Sequence, residues 1–196
     1  MCIRDSSSAD RPAALAELVG IVQNDGLRAP TQRITELHFA ASTPYETDFA
    51  LVPRATERVM PVAVARALKV LMQDVVENGT AIRAKGSVVG RRGEPIALGG
   101  KTGSGDNRFE TFAADGRVLT SRAVSRTASF VFFVGDRHYG VLTAHVSGDD
   151  ANKYSFTSSL ALQAFKVLAP SLQPLLTREE RRVGAGVSTR RAHVAP

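Results

Sequence analysis

The sequence predicts an α+β domain in which helices flank an antiparallel sheet. Three observations point there. Val64, Leu68, Leu71, Met72 and Val75 recur at helical spacing. Residues 127–134 and 139–146 are two β-rich apolar runs, separated by Gly135-Asp136-Arg137-His138 as in a tight hairpin. A second helical run then carries Leu160, Leu162, Phe165 and Leu168.

The elements follow in order. Leu15, Leu18, Val19 and Val22 mark a first helix, with Pro12 near its start and Asp25-Gly26 closing it. Between Leu27 and Glu57, Pro30, Pro44 and Pro53 interrupt short mixed segments, so an ordered but irregular connection is expected. Pro61 sits in the first turn of the next helix, and Asn78-Gly79 ends it with residues able to turn left-handed. The period then switches. Ile96-Ala97-Leu98 lead into a short strand with glycines on both sides, and residues 106–126 read as a polar loop. The run at 127–134 is apolar on both faces and should be central in its sheet. The last helix is expected over about 157–169, stopping at Pro170. No internal repeat is present.

At 196 residues and 43% hydrophobic, the chain suits one globular domain, or most of a larger one. No apolar run approaches bilayer-spanning length, and residues 1–8 contain no signal-type apolar stretch; they read as a non-native or disordered leader. Cys2 is the single cysteine, which excludes a disulfide framework and a thiolate metal cluster. Of the net charge of +6, half lies in residues 177–196, where five arginines (Arg178, Arg181, Arg182, Arg190, Arg191) face two acids, Glu179 and Glu180. Without apolar periodicity or interleaved aromatics, this segment reads as a solvated basic tail, and no nucleic-acid partner is expected.

Lys101-Thr102-Gly103 is the stretch that carries chemistry. Gly100-Lys101-Thr102 imitates the end of a phosphate-binding loop, but that loop needs a glycine where Pro95 stands and a helix where Gly103, Gly105, Asp106 and Asn107 follow. The Lys-Thr-Gly strand of serine acyl-enzymes fits better. An edge strand can pair with an extended peptide, and strand alternation separates Lys101 and Gly103 from Thr102 and Ser104. Lys101 would supply positive charge for a substrate carboxylate and assist proton transfer. Hydroxyls at Thr102 and Ser104 would bond that carboxylate. Gly103 leaves room for close approach, and the Ser104 N–H can help hold an oxyanion.

The surroundings of the motif strengthen that reading. Val75-Val76-Glu77-Asn78-Gly79-Thr80-Ala81, Gly99 through Arg108, and Arg126-Thr127-Ala128-Ser129-Phe130-Val131-Phe132 resemble bifunctional, class A type penicillin-binding proteins. So do Leu15-Ala16-Glu17-Leu18-Val19-Gly20, Thr43-Pro44-Tyr45-Glu46-Thr47 and Tyr154-Ser155-Phe156-Thr157-Ser158. The resemblance runs in order over residues 9–176. It implies a β-lactamase/transpeptidase-like fold, incomplete on its N-terminal side, with the motif strand lining the active site. It also implies a D-alanyl-D-alanine transpeptidase working through an acyl-enzyme, with peptidoglycan stem peptides and β-lactams as ligands and no cofactor. The location implied is the outer, periplasmic face of the cytoplasmic membrane.

The chain departs from that family in one respect. The nucleophile belongs to Ser-x-x-Lys and a second cleft wall to Ser-x-Asn; no serine here is followed by either pattern. Both belong upstream, as would a membrane anchor or glycosyltransferase domain, so this chain alone is expected to be inactive. A β-lactamase, a D,D-carboxypeptidase or a non-catalytic scaffold of the same fold are the alternatives. His38, His138, His145 and His193 show no ligand spacing, so no metal is expected.

Overall fold

The computed structural model describes residues 11–31, 34, 36–50, 55–90 and 92–188, with backbone alone for residues 50 and 177–188. The leader at 1–8, Cys2, Pro53, Arg190, Arg191 and His193 lie outside them. The chain runs α1 (Pro12–Gln23), β1 (Leu27–Arg28), β2 (Glu36–Phe39), β3 (Thr47–Ala50), β4 (Glu57–Arg58), α2 (Val62–Glu77), β5 (Leu98–Phe112), β6 (Val118–Val134), β7 (His138–Ser147) and α3 (Ser158–Ser188). Short 3-10 turns occupy Ile82–Ala84 and Gly148–Asn152.

The main sheet is antiparallel in the order β5-β6-β7, so the apolar strand is central, as its two-faced pattern required. Phe130, Phe132 and Val134 point to one face of β6. There Phe165 of α3 packs between two of the rings, with centroids 5.4 Å from Phe130 and 4.8 Å from Phe132. Phe133 points to the other face, where Lys69 of α2 lies 5.7 Å from its ring centroid. Its cross-strand partner Tyr139 meets α1 at Gly20, where an added Cβ would fall 2.6 Å from the tyrosine ring. The sheet is thus sandwiched, with α1 and α2 on one side and α3 on the other.

The connection from α2 to β5 reaches the α3 side. Ala81, Ala84 and Val88 join Val76, Leu98, Phe130, Leu162, Phe165 and Leu176 in one buried cluster.

Four expectations change. Residues 106–126 are a β-ribbon rather than a loop: β5 and β6 stay paired to Phe112 and Val118, around a turn with Gly116 at φ +83°. Apart from the buried Ala123 the ribbon is largely exposed on both faces, so no apolar alternation marks it. Polar cross-strand pairs hold it instead, among them Asn107 Nδ2 to Ser125 Oγ at 2.9 Å and Thr111 Oγ1 to Thr120 Oγ1 at 2.6 Å.

The connection after α1 contains two antiparallel pairs, β1 with β4 and β2 with β3. Strands of two to four residues are too short for a period to register.

The last helix does not stop at Pro170 but runs through Pro170 and Pro174. Each proline removes a helical N–H. The helix persists because Ala169 and Leu176 are buried, and because the Gln173 amide is bonded to both the N–H and the C=O of Val89. The helical backbone enters the segment expected to be a tail. A tail at 177–196 remains an expectation, and limited trypsin digestion tests it: cleavage at the arginines there should precede any loss of the folded body. Arginines left uncut in a folded sample would mean the segment is docked.

The stripes on α1 and α2 are covered only in part, with Leu15, Leu68, Met72 and Val75 half-buried. On α2, Ala65 and Val76 are buried, whereas Val64 and Leu71 are exposed; on α1, Val19 and Val22 are buried and Leu18 is exposed. A helical stripe names a broad apolar arc, and only the packing partner selects which part of it is covered.

Candidate active site

The motif lies near the start of β5, an edge strand that pairs only with β6 among the described residues. The three glycines at the motif do different work. A Cβ on Gly99 would fall 2.2 Å from the Phe133 ring, and one on Gly100 would fall 2.5 Å from Phe130 and 2.6 Å from the Val131 carbonyl oxygen. Those two are glycines because the sheet and its aromatic core close on them. An added Cβ on Gly103 would meet nothing within 4 Å. Nothing among the described residues fills the space beside it, which leaves the backbone open to approach.

Register places the four motif residues as alternation requires. Thr102 pairs with Phe130 and Ser104 with Ala128, on the α3 face; Lys101 pairs with Val131 and Gly103 with Ser129, on the other. The two hydroxyls share a face but have different partners. Thr102 is 8% exposed, and its Oγ1 lies 2.7 Å from Oγ1 of Thr80, in the turn after α2. Ser104 Oγ accepts the Ser158 N–H at 2.9 Å, so the strand caps the first turn of α3. Lys101 Nζ donates to the Thr102 carbonyl oxygen at 2.6 Å. The ammonium is thereby drawn back along its own strand.

Sequence reasoning did not single out Thr80. It lies in the Val75–Ala81 segment that carries the resemblance, but no local pattern signals a contact to a residue 22 positions away.

The structure also gathers His38, Glu46 and Asp48 on the β2–β3 hairpin, which spacing had not suggested. Register puts His38 opposite Asp48; its Nδ1 contacts that carboxylate, and its Nε2 is 3.3 Å from Glu46. All three are exposed, and each ring nitrogen already faces a carboxylate. The group reads as a hairpin held by contacts of the imidazole with its two carboxylate neighbours.

No protein-family model matches the sequence, and no curated protein matches it. Solved structures do. A D,D-transpeptidase domain of a peptidoglycan glycosyltransferase from Eggerthella lenta has a TM-score of 0.52 at 19% identity, covering 80% of this chain and 30% of its own. Penicillin-binding protein A from M. tuberculosis, as a ceftriaxone acyl-enzyme complex, gives 0.52 at 18% identity, over 81% of this chain and 32% of its own. The chain carries part of a penicillin-binding transpeptidase fold. It spans about a third of the length of the solved structures it matches. Within this transpeptidase fold, the three-stranded sheet with helices on both faces is the part present here.

Proposed function

We propose that the chain forms the Lys-Thr-Gly wall of a D-alanyl-D-alanine transpeptidase that cross-links peptidoglycan, with its nucleophile supplied by a Ser-x-x-Lys element upstream. The observation that carries the reading is the position of Lys101-Thr102-Gly103 on a sheet-edge strand beside open space at Gly103. An extended stem peptide can add to that edge through its backbone. Lys101 offers a cation for the terminal carboxylate, Thr102 and Ser104 offer hydroxyls, and the strand N–H groups serve the developing oxyanion.

In the intact enzyme the upstream serine attacks the penultimate D-Ala carbonyl as its proton passes to the Ser-x-x-Lys lysine. Terminal D-Ala leaves protonated, and the amine of a neighbouring stem peptide takes the acyl group. A β-lactam acylates the same serine. Such an enzyme works at the outer face of the cytoplasmic membrane. No helix among the described residues is long and apolar enough to cross a membrane.

The test uses fluorescent penicillin and a denaturing gel. The 196-residue chain should give no labelled band. A protein extended upstream through Ser-x-x-Lys should give one, abolished when that serine is changed to alanine. A stable band from the 196-residue chain, or the lack of any Ser-x-x-Lys in the upstream reading frame, would sink the proposal.

A further inference from the structure

We infer that Thr80 is a positioning residue for the motif strand: its hydroxyl fixes the direction in which Thr102 donates its proton to a substrate carboxylate. The inference rests on the transpeptidase reading above, and nothing in the motif itself points to it.

Thr80 is held on both sides. Before it, Gly79 sits so close to α2 that an added Cβ would fall 2.9 Å from the Val75 Cα. After it, Ala81 is fully buried and its N–H donates to the Val75 carbonyl at 3.0 Å. Ile82 N–H returns to the Gly79 carbonyl at 3.2 Å. The turn therefore presents the Thr80 hydroxyl to β5 as a fixed feature, 2.7 Å from the Thr102 oxygen.

Proton counting then sets the direction. A hydroxyl has one proton and two lone pairs, and a carboxylate only accepts. When Thr102 holds a carboxylate, its single proton must go there. Its oxygen can then only accept from Thr80, so Thr80 must be the donor. The chain runs one way, from Thr80 to Thr102 to the carboxylate, and accepting the first bond polarises the second. Ser104 needs no such helper, because its oxygen accepts from the Ser158 backbone N–H, a group that can only donate. Thr102 is the motif hydroxyl whose direction depends on another side chain. Without the Thr80 hydroxyl, an oxygen on a residue only 8% exposed loses its donor and its rotor is unset.

The experiment measures acylation in the intact parent, with benzylpenicillin and with its methyl ester, which lacks the anionic carboxylate. Thr80→Val and Thr80→Ala should slow acylation by benzylpenicillin by about two- to twelve-fold, the range of one net hydrogen bond. The loss should appear in the initial binding step more than in the maximal acylation rate. Thr80→Ser keeps the hydroxyl and should recover most of the rate. With the methyl ester, the variants should react as the parent does.

Benzylpenicillin rates equal to the parent's in both Val and Ala variants would overturn the inference. So would equal slowing of acid and ester, which marks a merely structural role. If the unaltered parent fails to acylate at all, the transpeptidase reading itself fails and takes the inference with it. That result is told apart from the others because it needs no variant.

Discussion

Lys101→Ala in the intact protein is expected to slow acylation by roughly ten- to several hundred-fold with the fold unchanged. The argument is electrostatic. A leaving D-Ala carries a carboxylate, and so does a penicillin, so both need a cation beside the strand. Thr102 and Ser104 can orient that group, but neither carries charge. Hydrogen bonds to charged groups contribute on the order of 1.5–3 kcal/mol, and assistance to proton transfer adds to that. In the described residues Lys101 Nζ bonds only back to the Thr102 carbonyl, a neutral acceptor that an arriving carboxylate can outcompete.

The lysine is exposed and outside the buried cluster, so its truncation leaves the packing alone. Thr102→Val removes one hydroxyl and no charge, and it should cost less. Stopped-flow acylation rates with circular dichroism decide the matter. A wild-type rate from a folded Lys101→Ala protein would mean that this strand is not the active-site wall.

Phe165→Ala should lower stability by about 3–5 kcal/mol, the range for truncating a fully buried aromatic. Phe165 is 0% exposed and joins α3 to the sheet through Phe130 and Phe132. Its neighbours cannot collapse into the space. Phe130 is also fully buried, and its ring is already within 2.5 Å of where a Gly100 Cβ would stand. A domain stable by about 5–15 kcal/mol would lose a large part of that margin. Urea unfolding followed by circular dichroism measures it. A loss below about 1 kcal/mol would show that α3 does not close this face of the sheet.

Ser104 links the two results. Its oxygen caps α3 from the motif strand, so the helix that packs on Phe130 also holds the strand proposed to bind substrate. Damage at Phe165 should therefore reach the motif, whereas loss of the Lys101 ammonium should not reach the core.

By itself the sequence determined the order of the main elements, the central place of residues 127–134, the hairpin turn at 135–138 and the motif on a strand. These are local properties. An uninterrupted apolar run, a glycine that can take positive φ, such as Gly135 at +57°, and a Lys-Thr-Gly between glycines act within a few residues of where they are written.

Only the tertiary structure decided the rest. Residues 106–112 and 118–126 are strands because each supplies the other's partners, and polar residues on both faces leave no period to detect. The α3 helix passes Pro170 because Val89, 84 residues away from Gln173 in sequence, holds it there. Tertiary packing also selected Ala65 and Val76 as the buried residues of α2. The pairing of Thr80 with Thr102 has the same origin: the turn after α2 is wedged by Ala81 into a core built from three distant segments. Such contacts gain their free energy from burial between parts of the chain far apart in sequence, and a local reading carries no trace of which parts will meet.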